Sequence, residues 1–169
     1  MHGAAILERL RARLGTGVVE THAQCGDHTA IVERTALPGA LSLCRDDPDL
    51  GFDVLMDLTA VDYQKYPGRE DGPRFEVVYH LYSLAHNHRV RIKVRVDEDD
   101  AVVPTAVPLW PIANWLEREV WDMFGVRFDG HPDPRRLLMY EEFVGHPLRK
   151  DYPKEKRQPL VRRQPGAVD

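Results

Sequence analysis

Residues 75–96 read FEVVYHLYSLAHNHRVRIKVRV, and the alternation inside this stretch decides the fold. From His88 onward, Val90, Ile92, Val94 and Val96 take turns with Arg89, Arg91, Lys93 and Arg95. Successive strand side chains point to opposite faces, so this pattern predicts one apolar face and one cationic face. His88–Val96 is therefore expected to be an antiparallel strand with one wet face. Phe75–Leu84 is its partner, and the short polar link between them makes the best hairpin in the chain.

Working outward toward the N-terminus, FDVLMDLTAV (Phe52 to Val61) is a nearly continuous apolar run, as expected of a strand in the middle of a sheet. Between it and the hairpin, Tyr63 to Arg74 carries Pro67, Gly68, Gly72 and Pro73 and reads as a loop. Leu37 to Leu50 reads as a helix with Leu41, Leu43 and Cys44 facing inward. Val18 to Gln24 and Thr29 to Arg34 read as short strands joined by a turn at Gly26-Asp27. Ala4 to Leu14 places Ile6, Leu7, Leu10 and Leu14 at helical spacing. The order α-β-β-α-β-β-β predicts a two-layer α+β domain, with a mainly antiparallel sheet and helices on one face. No glycine-rich βα turn of the dinucleotide or P-loop type occurs, and no repeat of 20 to 50 residues.

In the other direction the grammar changes after Val103. Pro104, Pro108 and Pro111 favour an extended backbone, a single helix follows over about Ile112 to Phe124, and Gly125 closes it. The rest is irregular and punctuated by proline, yet it holds Leu137, Leu138, Met139, Tyr140, Phe143, Val144 and Leu148. Such a segment cannot build its own core, so it must bury against the α+β domain or another protein. The division is residues 1–108 as the globular domain, 109–153 as a helix with an extended docking segment, and 154–169 as a basic tail.

On a helical wheel, Ile112, Leu116, Val120 and Met123 form an apolar stripe, with Trp115 and Phe124 at its margins. Arg118 and Asp122 are spaced as an i,i+4 ion pair. Glu119 falls inside the stripe, and Glu117 sits between Phe124 and Trp121. A carboxylate in such company is costly unless paired. Glu117 and Glu119 are therefore expected to anchor the tail through charge-assisted bonds, with Arg135, Arg136, Arg149, Lys150, His131 and His146 as available partners. A metal or acid/base site built on these glutamates and the two Gly-His-Pro triplets (130–132 and 145–147) is the functional rival. Glu117 and Glu119 diverge on a helix, however, and there is no HExxH spacing.

Composition narrows the field further. No run of about 18 apolar residues exists to span a bilayer, and the N-terminus reads as a first helix instead of an export signal. Cys25 and Cys44 are isolated, which is too few thiols for an iron–sulfur cluster and implies a reducing compartment. The net charge of −4 divides into +5 over Arg149–Arg163 and −9 over the remainder. Aromatic residues are not interleaved with the basic ones, so nucleic-acid binding is not expected.

The stretch Trp110 to Pro153 closely resembles the C subunit of the proton-pumping NADH:quinone oxidoreductase, respiratory complex I. Glu117-Arg118-Glu119, Asp122, Phe124-Gly125, Gly130-His131-Pro132, Arg135-Arg136 and the run from Gly145 through His146, Leu148, Arg149, Lys150, Asp151 and Tyr152 to Pro153 match that family's signature. DLTAVDY (57–63) and FEVVYHLYS (75–83) are similar to it as well, and the match covers about residues 50 to 153. Pro134 departs from it, standing where leucine is expected, but leaves Arg135 and Arg136 in place.

The resemblance implies a peripheral, non-catalytic subunit that supports the quinone module and packs against the module's D subunit at the cytoplasmic face of the inner membrane. FMN and iron–sulfur clusters would sit in partner subunits, and none on this chain. The structural or partner-docking residues so implied are Glu117, Arg118, Glu119, Asp122, His131, Arg135, Arg136, His146, Arg149, Lys150, Asp151 and Tyr152. Equivalent subunits of membrane-bound hydrogenases or photosynthetic NDH complexes, and a stand-alone metal-dependent hydrolase, are the alternatives.

Overall fold

A computed structural model of the chain describes residues 3–69, 72–156 and 158. Most of the basic tail expected over 154–169 therefore lies outside the described residues. The centre of the fold is the hairpin: β4 (Phe75–Ser83) and β5 (His88–Val96) pair antiparallel without a break from Phe75↔Val96 to Ser83↔His88. The other edge of β5 pairs parallel with β2 (Thr29–Val32), and β1 (Val18–His22) lies antiparallel beyond it. On the far side of β4 runs β3 (Val54–Asp62), antiparallel, which gives the order β1-β2-β5-β4-β3. The sheet is mixed but mainly antiparallel.

The run around β3 was expected to be central, and it forms an edge strand instead. Its inward residues Leu55, Leu58 and Ala60 are buried, while Met56 and Val61 are exposed. Helix α3 (Ala113–Phe124) packs on this strand, so a strongly apolar stretch is satisfied at the edge by a helix instead of a second neighbouring strand.

One face of the sheet carries Phe75, Val77, Tyr79, Leu81, Val90, Ile92, Val94 and Val96 into a single core. Helix α1 (Gly3–Leu14) adds Ile6, Leu7 and Leu10, and α2 (Leu37–Asp46) adds Leu37, Ala40, Leu41 and Cys44. Helix α3 adds Ala113 and Val120 to that same core. Burial pushes the Cys44 thiol up to about 12, so it is an inert apolar filler.

The opposite face is less wet than its alternation implies. Glu76 is 1% exposed there and accepts from Lys93 (2.8 Å), Arg69 (2.9 Å) and Arg95 (3.1 Å), and from the Tyr63 hydroxyl (3.1 Å). Burial works to raise its pKa, but the cations overcome this and hold it at about 2. Two of the four alternating cations thus serve an internal network that Tyr63 and Arg69 complete.

Two further strands had no strong sequence signal. β6 (Val102–Pro104) and β7 (Arg127–Asp129) pair parallel and flank α3 on either side in the chain. Between β6 and α3 the chain turns where proline had suggested extension, with the Ala106 carbonyl accepting from both Leu109 and Trp110 N–H.

Candidate functional site: the third helix and the tail that clasps it

Helix α3 buries Ala113, Glu117, Val120, Asp122 and Met123. Its last four carbonyls have no partner inside the helix, as at any helix end. Gly125 reaches φ +80, where glycine is at ease, and its N–H closes on Trp121 O at 2.8 Å. The other three carbonyls are taken by the tail. His146 Nδ1–H donates to Asp122 O (3.0 Å), Leu148 N–H to Met123 O (3.1 Å) and Arg149 Nε to Phe124 O (2.6 Å). Placing Arg149 there also sets a cation at the negative end of the helix dipole. Burial depresses the His146 pKa, which suits a neutral ring donating through Nδ1.

Asp122 is fully buried and works as a nest for the tail. One oxygen accepts from Arg136; the other accepts from the backbone N–H groups of Leu137 (3.1 Å), Leu138 (2.8 Å) and Met139 (2.9 Å). Burial pushes its pKa up, and these four donors more than reverse that, leaving it below the usual carboxylate range. Arg136 continues to Phe143 O and Gly145 O, and Arg118 donates to Arg135 O and Arg136 O. Arginine thus acts here mainly as a fork for backbone carbonyls. Arg135 itself is exposed and, among the described residues, its side chain pairs only with Asp133, two residues before it.

The far end of the tail is stapled to the sheet. Lys150 N–H donates to Asp62 Oδ2 (2.8 Å), and Arg74 joins Asp62, Glu98 and Asp151. Burial would raise the Asp62 pKa, but Arg74 and two backbone N–H groups hold it down. Tyr152 stacks on Phe143.

The expected roles of the acidic residues are redistributed. Glu117 is buried but takes no arginine; it accepts from Thr105 Oγ1 and Ala106 N–H, both at 2.6 Å. Burial raises it to about 7 in spite of those bonds. Glu119 is exposed and, among the described residues, has no hydrogen-bond or ion-pair partner. The Arg118–Asp122 pair does not form, because the tail engages both side chains. The reason is the phase of the helix. The arc with Ile112, Trp115 and Glu119 faces outward, leaving Ile112 and Trp115 51% and 59% exposed.

The two histidines do not converge either. His131 binds the Asn114 carbonyl and His146 the Asp122 carbonyl, eight residues or roughly 12 Å apart along the helix. Among the described residues no three His, Cys, Asp or Glu side chains gather as a metal site requires. Leu138, Val144 and Leu148 on the tail remain at least half exposed, so with Ile112 and Trp115 the clasped helix presents apolar groups outward. No helix among the described residues is long and apolar enough to cross a membrane.

A family model for the respiratory-chain NADH dehydrogenase 30 kDa subunit matches residues 30–158, which take in the sheet from β2 onward, α3 and the tail. The chain belongs to that family.

Its relatives include the NADH-quinone oxidoreductase C subunit of Acidithiobacillus ferrooxidans, 46% identical over 86% of this chain and 73% of the relative. The C subunit of a Methylobacterium species is 48% identical over 88% of this chain and 66% of the relative. Among solved structures, a trypsin-resistant fragment of Nqo5 superposes with a TM-score of 0.69 at 34% identity, covering 79% of this chain and 99% of that one. A chain of an archaeal membrane-bound sulfane sulfur reductase shares the fold, with a TM-score of 0.66 at 24% identity over 92% of this chain and 88% of that one.

In this member of the 30 kDa family the residues that sequence reading left out of the site are Asp62, Arg74 and Thr105. Asp62 and Arg74 had a legible signal, as opposite charges at the two ends of the loop that joins paired strands. Thr105 had none, because only the three-dimensional turn before α3 brings it to Glu117.

Proposed function

We propose that this chain is the structural C subunit of a proton-translocating NADH:quinone oxidoreductase, holding the quinone module together and performing no chemistry itself. The observation that carries this reading is the clasped helix. Asp122, Arg118 and Arg136, which could have formed a reactive site, are spent on backbone groups of the tail, and His131, His146 and Arg149 on carbonyls of the helix. The clasp leaves apolar groups outside: Ile112, Trp115, Leu138, Val144 and Leu148. Surfaces of this kind mark protein interfaces. The proposed partner is the D subunit of the quinone module, with other peripheral-arm subunits nearby, on the cytoplasmic face of the inner membrane. FMN and iron–sulfur clusters are assigned to partner subunits, and association with the membrane occurs only through the complex.

The test is recovery of the tagged chain from its host's membranes in mild detergent, with co-purifying proteins identified and NADH:quinone activity assayed. Co-recovery of flavin and iron–sulfur subunits with that activity supports the proposal. A hydrogenase or other donor module would move the chain sideways within the wider family. Recovery of the chain alone, carrying stoichiometric metal, would overturn the proposal in favour of the hydrolase.

A further inference from the structure

Glu117 is a carboxyl group sealed at 0% exposure without a lysine or arginine beside it. The β6–α3 turn supplies the Thr105 hydroxyl and the Ala106 N–H. β4 supplies Tyr79, buried, whose hydroxyl has no hydrogen-bond partner among the described residues. The segment after β7 supplies His131, whose Nε2 stands 4.0 Å from Glu117 Oε2. The charged residues of β3 and β7 are engaged elsewhere or exposed: Asp62 is tied to Arg74, and Asp57, Arg127 and Asp129 face solvent. Arg118, next along the helix, is committed to Asp133 and to tail carbonyls.

The hydrogen bonds of His131 fix its tautomer. Nδ1 receives the Asp133 N–H at 3.0 Å and so carries no proton; Nε2 faces the Asn114 carbonyl at 3.1 Å and so carries one. That single N–H lies between two acceptors, Asn114 O and Glu117 Oε2. While Glu117 is neutral, the carbonyl is the nearer acceptor, which is the arrangement seen here. An ionised Glu117 offers a charge-assisted bond, about twice as strong as a neutral one. The Thr105 hydroxyl serves both states, since it can donate to the carboxylate or accept from the carboxylic acid while receiving Val107 N–H.

We propose that Glu117 and His131 form a buried proton-linked latch, in which ionisation of the carboxyl draws the imidazole N–H from the Asn114 carbonyl and shifts the 131–136 segment on α3. The carboxyl is poised for this near neutrality, because burial raises it to about 7. His131 ties the tail to α3 at the Asn114 carbonyl, and its Nδ1 holds the turn at Asp133 that leads to Arg135 and Arg136. A movement at this ring therefore reaches the arginine fork on Asp122.

The deciding experiment is an NMR titration of the full-length chain, labelled with carbon-13 and nitrogen-15, from pH 5 to pH 8.5. The expected result is a Glu117 carboxyl midpoint near neutrality. The His131 Nε2–H resonance and amide exchange at 131–136 should move in the same step. In Glu117→Gln the His131 and amide responses should be flat. A Glu117 midpoint at or below about 4.5, or a carboxyl that titrates while His131 stays still, overturns the proposal. Independent protonation of His131 at Nδ1 with its own midpoint overturns it as well. If the Gln variant does not fold, the two wild-type titrations decide the matter alone.

Discussion

Asp122 and Glu117 sit five residues apart on one helix, both sealed from solvent, and the structure sends their acidities in opposite directions. Asp122 has four donors and is ionised; Glu117 has two donors and no cation, and stays near its neutral form. The signs for stability follow. A carboxyl raised from 4.5 to about 7 on folding gives stability that is full below pH 4.5 and lost as pH rises through 7. The difference in urea stability between Glu117→Gln and wild type should therefore move in favour of the variant from pH 4.5 to pH 8, by up to about 3 kcal/mol. Asp122 behaves oppositely, stabilising above its unfolded pKa and losing that contribution as pH falls. Asp122→Asn strands the Arg136 guanidinium, and the expected cost is about 3–5 kcal/mol, with faster amide exchange at Leu137, Leu138 and Met139. Glu119→Ala, by contrast, should change the stability of the isolated chain by less than about 0.5 kcal/mol, because the side chain is exposed. A defect of that variant confined to assembly of the complex would place Glu119 at an interface.

At the scale of elements, the end of α3 carries the clearest test. A Cβ on Gly125 would come within 2.6 Å of Arg149 Nη2 and 2.7 Å of the His146 ring, at a backbone angle that disfavours any side chain. Gly125→Ala should displace the 146–149 cap while leaving the sheet folded, at a cost of roughly 1–3 kcal/mol. Trypsin should then cut sooner at Arg149 and Lys150, with the circular dichroism of the sheet unchanged. This cap also shows what a sequence can and cannot yield. The alternation in β5 was legible because a period of two admits one reading. The helical wheel of α3 put Leu116, Val120 and Met123 on the inward side, where they are, but counted Ile112, Trp115 and Glu119 with them, and these face outward because nothing local says that the tail would claim the side of Asp122. The Asp122 nest was only partly legible: Arg136 was among the available partners, but the other three donors are backbone groups that any sequence could supply. β6 and β7 are three residues each and carry no period long enough to see.

For the molecule as a whole, the tail holds, besides its cap on the end of α3, at three stations: His131 on Asn114, Arg136 on Asp122, and Lys150 with Asp151 at Asp62 and Arg74. A chain ending after Pro153 keeps all three stations and should melt within a few degrees of the full chain. One ending after Gly130 loses them all, leaves Asp122 uncompensated, and should melt well below it in differential scanning calorimetry. The α+β architecture was readable from element order, whereas the parallel β2–β5 pairing was not, because it joins strands separated by α2, β3 and β4. The station at Arg74 has a consequence in time. The guanidinium is positioned by Asp62 at the end of β3 and by its own place at the start of β4, so the third anchor exists only when that edge of the sheet has closed. Chains emerge from the ribosome N-terminus first. The apolar tail is thus synthesised after the sheet on which it docks, and it meets a finished platform. An incompletely folded copy has nowhere to lay its tail and cannot display the clasped surface, so assembly of a larger machine on that surface would proof-read the folding of this protein.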